Sequence, residues 1–215
     1  MSPAPRRTTD PVALTIAATA AEATSWEELA QAVRSCTACP ELAATRHQVV
    51  VGDVPPTWSS ARLLVVGEAP GAQEDQSGRP FVGRSGQLLD RLLAEAGLPR
   101  AQVAVLNTVK CRPPDNRPPQ PVESQRCRGW TQRQLELTAP RLVLALGLTS
   151  TKWFLGPTTL TAARGRVHEV DGRSVLPTYH PSAVLRAGPG SEPDRLLRED
   201  LALAVSLLAG LGTTG

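Results

Sequence analysis

Four short runs along the chain are apolar at nearly every position: Leu63 to Val66, Val103 to Leu106, Leu142 to Leu146 and Val175 to Thr178. A strand with one wet face alternates apolar and polar residues, so unbroken runs of this length predict parallel strands covered on both faces. Between them, apolar positions recur at helical spacing. Leu88, Leu89, Leu92 and Leu93 mark a helix over 87–96, and similar patterns cover 122–137, a short segment at 150–155, and 194–208. Strand and helix in alternation predict an α/β fold: a three-layer α/β/α sandwich around a central four-stranded parallel twisted sheet. In such sheets the ligand crevice lies beyond the carboxyl ends of the strands, so chemistry is sought there.

Ahead of the first strand, Ser25 with Glu28 three positions on reads as a helix cap, and Trp26, Leu29, Ala30 and Val33 continue at helical spacing to the Cys36/Cys39 pair. Residues 1–24 are rich in Ala, Thr and Pro and read as a poorly ordered extension. The organisation expected is therefore an extension at 1–24, one domain at 25–208 and a tail at 209–215. With 215 residues and 41% hydrophobic composition, one buried core is feasible and two are not expected. A net charge of +3 suits a polyanionic partner without requiring one. Only Lys110 and Lys152 among the 23 basic residues are lysines, so phosphate contacts would come mainly from guanidinium groups. No signal peptide or membrane span is evident, and four cysteines without a secretory signal suit a reducing compartment, with the cytoplasm as the expectation.

The cysteines form a C-x2-C pair, Cys36 and Cys39, and a wider C-x15-C pair, Cys111 and Cys127. Four thiolates brought together suit either zinc or an iron-sulfur cluster. Zinc ribbons favour two short knuckles, so the wide second pair leans the reading toward iron-sulfur.

The ends of the apolar runs carry the other candidates. The first run leads into Gly67-Glu68-Ala69-Pro70-Gly71, then Glu74, then a loop containing Phe81. A glycine-rich turn between strand and helix suggests phosphate binding, but the loop has no lysine of the Walker type. Phe81 taken singly reads as core, or as a ring on which a flat base could stack. Asn107, at the end of the second run, offers donor and acceptor together, as needed to read the O4 and N3 edge of a pyrimidine. A basic, proline-stiffened loop with Arg112 and Arg117 follows, and the fourth run delivers His180.

In this order, GEAPG (67–71), EDQSGRPFVG (74–83), GQLLD (86–90), NTVKCRPPDNRPP (107–119) and HPSAVLR (180–186), with the four cysteines, closely resemble the family 4 uracil-DNA glycosylases. The resemblance spans roughly Trp26 to Leu208. It implies a monomer that binds uracil-containing DNA, hydrolyses the N-glycosidic bond and leaves an abasic site. It also implies a 4Fe-4S cluster on Cys36, Cys39, Cys111 and Cys127, structural rather than redox-catalytic. Uracil is then expected against Phe81, with Asn107 on its edge, His180 near O2, and Glu68, Ala69 and Pro70 lining the pocket. Glu68 and Glu74 are candidates to orient water, because Ala69 stands where the best-known uracil glycosylases have Asp; Glu74 is alternatively placed to narrow the pocket against a thymine methyl. Arg112, Arg117, Ser182, Leu185 and Arg186 are expected to meet DNA. Two alternatives are a related branch that traps its product through a histidine in a basic loop, and a non-catalytic zinc-stabilised nucleic-acid-binding module. The first is disfavoured by the absence of histidine between Asn107 and Cys127.

Overall fold

The computed structural model describes residues 9–56, 58 and 63–210. Its centre is a five-stranded sheet of β1 (Leu63–Gly67), β2 (Val103–Asn107), β3 (Leu142–Leu146), β4 (His168–Val170) and β5 (Arg173–Thr178), in the order β2-β1-β3-β5-β4. The four apolar runs are β1, β2, β3 and β5, all parallel. The fifth strand, β4, is an addition to the expected four. It pairs antiparallel with β5 across Asp171 and Gly172, whose φ values of 49° and 74° suit a two-residue hairpin turn. At three half-exposed residues on the sheet edge, β4 leaves no apolar run to read.

Successive side chains on a strand point to opposite faces, and the core divides accordingly. Leu63, Val65, Val103, Val105, Leu142 and Leu144 pack with the leucines of α5 (Arg84–Glu95), with Val184 of α9 (Pro181–Ala187) and with α10 (Glu192–Gly210). Leu64, Val66, Ala104, Leu106, Val143 and Ala145 pack on the other face against Leu135 of α6 (Pro121–Thr138) and Phe154 of α7 (Gly147–Leu155). Both faces are thus covered, as the unbroken runs required. Short helices α4 (Ala72–Ser77) and α8 (Leu160–Ala163) lie between these elements in the chain.

A third apolar cluster lies beside the sandwich. It joins Ile16 and Ala20 of α1 (Pro11–Glu22), Leu29 and Val33 of α2 (Trp26–Arg34), Leu42 of α3 (Pro40–Thr45), and Trp130 of α6 to Cys111 and Cys127. Residues 11–22 therefore differ from the poorly ordered extension that composition suggests. Asp10 caps α1 by accepting from the Val12 N–H (3.0 Å), and Arg133 donates twice to the Ala23 carbonyl (3.0 and 2.7 Å). Small residues let the two helices approach closely: a Cβ on Gly129 of α6 would stand 2.9 Å from the backbone of Ala17. Residues 1–8 and 211–215 lie outside the described residues. Among the described residues no helix is long and apolar enough to cross a membrane.

Because the atoms facing Gly129 are backbone, they have little freedom to move aside. Gly129→Ala is expected to lower the unfolding free energy by about 1–3 kcal/mol, read from the urea midpoint. An unchanged midpoint would show that α1 is not seated on α6.

Candidate functional site

The strand order reverses between β1 and β3: the chain passes from β1 to β2 on one side, then crosses to β3 on the other. Such a switch point opens a crevice at the carboxyl ends of the strands. A groove of about 690 Å³ lies there, within the range of small-molecule sites. Its walls are Glu68 to Gly71 after β1, Pro113 and Asn116 to Pro118 after β2, Leu146 to Thr149 at the end of β3, and Tyr179, His180, Ser182, Ala183 and Arg186 after β5. The contribution after β3, and Tyr179, were not singled out in the sequence. Their only signal was position at a strand end.

Of three expected residues, His180 lines the groove and meets Phe81, and Phe81 in turn meets Asn107. The ring of Phe81 lies 5.9 Å from that of His180, tilted by 34°. A Cβ on Gly67 would fall 2.4 Å from Asn107 Oδ1 and 2.5 Å from Phe81 Cζ, so the amide and the ring edge both converge on the bare backbone of residue 67. Register brings this about, since Gly67 and Asn107 are partners at the last position of the β1/β2 pairing. Phe81 and Asn107 are both buried, and Phe81 adopts φ 55°. A left-handed backbone at a bulky residue is costly and is tolerated only where the surroundings enforce it.

His180 caps α9. Its Nδ1 accepts from the Ser182 N–H at 3.1 Å, with Ser182 Oγ at 2.9 Å. An obligate donor at Nδ1 places the proton of the neutral ring on Nε2. Burial, aided by the positive charge of Arg186 and opposed by Glu74, pushes the imidazole down to about 4. His180 is therefore a neutral Nε2–H donor at physiological pH.

The two glutamates divide. Glu68 lines the groove, and its backbone carbonyl accepts from Val109 N (3.0 Å) and Thr108 Oγ1 (2.9 Å). Glu74, expected in the pocket, has its carboxylate on the backbone instead: Oε1 accepts from Val82 and Gly83 N–H (2.9 and 2.8 Å), and Oε2 from Gly71 N–H (3.1 Å). It clamps the loop after β1 to the loop that carries Phe81. Ala69 lines the groove on one side and packs on the cysteine-side cluster on the other.

Of the residues expected to meet DNA, Ser182, Arg186 and Arg117 line the groove, and Leu185 is exposed beside it. Arg112 donates to Asn116 Oδ1 (2.8 Å) on the loop that forms one wall. Arg117 is bound to Glu123 (2.7 Å) and Glu41 (3.1 Å), and these carboxylates hold its guanidinium charged. Its charge is largely neutralised by carboxylates on α3 and α6, a constraint that its basic sequence context does not reveal.

All four cysteines line a single cavity, mostly apolar, together with Ile16, Val33, Leu42 and Trp130. Arg46 Nη1 donates to Cys111 Sγ (3.0 Å) and Nη2 to the Cys36 carbonyl (2.7 Å); Lys110 N–H donates to Cys127 Sγ (3.4 Å). Arg126 joins the Ala38 carbonyl (2.8 Å) to Asp10 (2.8 Å), tying α1 to the cavity. Burial pushes the Cys127 thiol up to about 12 and that of Cys39 to about 11. Thiolates here thus need a cationic centre, and binding one displaces protons. Among the described residues no three His, Cys, Asp or Glu side chains close on a point fit for one metal ion. Lys110, 1% exposed, donates from Nζ to the Asn107 carbonyl; burial pushes it down to about 8, with Cys127 and Cys111 acting against the shift.

Comparison with known proteins fits this geometry. The family model of the uracil DNA glycosylase superfamily matches residues 56–202. The chain belongs to the uracil-DNA glycosylase superfamily. It is 40% identical over 185 residues to the type-4 uracil-DNA glycosylase of Thermotoga maritima, covering 85% of this chain and 94% of that one. Type-4 uracil-DNA glycosylases of Archaeoglobus fulgidus and Sulfurisphaera tokodaii are 37% and 39% identical, each over 75% of this chain and over 83% and 76% of theirs. The superfamily match takes in β1 to β5 and every wall of the groove, but not α1 or the Cys36/Cys39 pair.

Two predictions follow from the local geometry. Glu74→Gln turns one acceptor toward an N–H with an amide group, and is expected to lower the unfolding free energy by about 1–3 kcal/mol; an unaltered melting curve would remove the clamp. For His180, a folded value near 4 lies below the ordinary 6.5, so the unfolded chain binds the extra proton between them and stability falls as pH drops through that window. The ring resonances should titrate near 4 by NMR, and a midpoint above 6 would overturn the neutral assignment.

Proposed function

We propose that this protein removes uracil from DNA. The observation that supports this most is that the ring of Phe81 meets Asn107 over the backbone of Gly67 and lies 5.9 Å from the ring of His180. A pyrimidine turned out of the duplex stacks on Phe81, and the Asn107 amide reads the edge bearing O4 and N3. His180 directs Nε2–H at O2. Extrusion costs a few kcal/mol, least for a mispaired or single-stranded base. Ser182, Leu185 and Arg186 meet the strand at the rim, with Arg112 on the opposite wall.

The C1′–N1 bond then breaks with its electron pair remaining on the base, and water adds to C1′, leaving an abasic site. Charge on the departing uracil gathers at O2, where a neutral donor gains strength as that charge develops; this lowers the barrier selectively. Glu68 is the carboxylate left on the groove wall to orient water or face a cationic sugar, since that of Glu74 is bound to backbone.

Cys36, Cys39, Cys111 and Cys127 fit a 4Fe-4S cluster. The four thiols line one cavity, and four cysteines are the donor set that such a cluster takes. Bound there, the cluster supplies a cross-link between the segment after α2 and the segments carrying Cys111 and Cys127, and no step of base release passes through it.

The test is single-turnover release of uracil from oligonucleotides carrying one uracil, opposite G, opposite A and in single strands. Asn107→Ala and His180→Ala are each expected to slow release by about a hundredfold or more with folding intact. Full excision by both variants would sink the pocket assignment, and a protein-DNA adduct persisting on a denaturing gel would favour the trapping branch. A colourless protein with stoichiometric zinc and no excision would favour the binding module.

A further inference from the structure

The segment from Asn107 to Cys111 belongs to both sites at once. On the groove side, Thr108 N–H and Val109 N–H donate to the carbonyls of Gly67 and Glu68, each at 3.0 Å. On the cysteine side, Thr131 Oγ1 donates to the Thr108 carbonyl (3.1 Å), Lys110 N–H to Cys127 Sγ (3.4 Å), and Arg46 to Cys111 Sγ (3.0 Å). Lys110 sends its side chain back through this layer to the carbonyl of Asn107. It is almost wholly buried and lines the cysteine cavity. Cys111 and Cys127 line the same cavity, and among the described residues no carboxylate pairs with its ammonium.

A buried ammonium is stable only where charge and hydrogen bonds compensate it. Here a main-chain oxygen of the pocket accepts from it on one side, and the thiolates of a loaded cysteine site would balance its charge on the other. We propose that Lys110 is a positioning residue that couples the two sites: held in the cysteine core, it fixes the Asn107 carbonyl and thereby the angle of the amide that reads the base. The inference rests on the uracil and iron-sulfur readings above. It adds that the centre bears on excision through this one side chain, as well as through overall stability.

The experiment uses the full chain with its native metal centre. Lys110→Met keeps the length of the side chain and removes both charge and donor. Lys110→Gln retains an N–H donor without the charge. Lys110→Met is expected to slow single-turnover uracil release at least tenfold per folded, coloured molecule, with DNA affinity changed less than threefold. Its visible circular-dichroism bands should shift, because a positive charge has left the neighbourhood of the sulfurs. Lys110→Gln should show the same spectral shift and recover most of the rate.

Wild-type release by folded Lys110→Met, or unshifted bands in both variants, would overturn the coupling. If Lys110→Met does not fold, Lys110→Gln decides alone: shifted bands with a rate within about threefold of wild type support the proposal, and unshifted bands reject it. The wild-type control separates the readings, since an unaltered chain that releases no uracil sinks the functional assignment while the spectral comparison still reports on Lys110.

Discussion

The missing side chain at Gly67 is the constraint on which the site depends. Residue 67 is the last of β1, paired in register with Asn107, and the space a methyl group would take is filled by the Asn107 amide and the edge of Phe81. Any larger residue would push the amide and the ring apart, or push both off the strand end. The rest of the local geometry serves this approach. Phe81 holds an unfavourable backbone angle to bring its ring inward, and Glu74 fastens the following residues to the loop after β1 with three hydrogen bonds from backbone N–H groups. Charge-assisted bonds of this kind are among the stronger ones available to a protein. That strength is suited to holding a strained residue in place.

The same economy of space governs the cysteine side. α1 reaches α6 through alanine against glycine, with Ile16 closing the cavity that the four thiols line. Asp10 connects the helix cap to Arg126, and Arg126 to the turn between Cys36 and Cys39. Burial pushes the Cys39, Cys111 and Cys127 thiols up, so binding a cationic centre there displaces protons and the cavity is a folding element whose stability is linked to its occupant. Since Ala69 touches both this cluster and the groove, the cysteine core backs the pocket directly.

How much of this was legible in the sequence varies with the physical cause. β1, β2, β3 and β5 announce themselves because double burial demands unbroken apolar residues, while β4, short and at the edge, is encoded mainly by the Asp171-Gly172 turn. α1 was missed because its packing rests on the smallness of Ala17 and Gly129, and a scale of hydrophobicity does not register smallness. Asn107 and His180 were readable as polar residues at strand ends. The distant partners of Glu74 and Arg117 were not: Glu74 reaches the N–H groups of Val82 and Gly83 and Arg117 reaches Glu41, 76 residues away, and neither contact leaves a local pattern. Lys110 was noted only as a rare lysine, since burial of a charged residue becomes visible only when the surrounding layers are in place.

The electrostatics of the groove bear on a feature the sequence left open, the alanine at residue 69 in place of a carboxylate. If uracil leaves as an anion, the greater part of the barrier is met by whatever receives charge on the base. A neutral imidazole with its proton fixed on Nε2 by the Ser182 N–H does this without first losing a proton. An imidazolium would bind the anion more strongly, but the apolar surroundings and Arg186 both oppose that form. With the leaving group so assisted, the water that adds to C1′ meets an electron-poor carbon and needs orientation more than deprotonation. In the proposed mechanism Glu68 on the groove wall meets that lesser demand, and a strong general base beside it would add little to the rate.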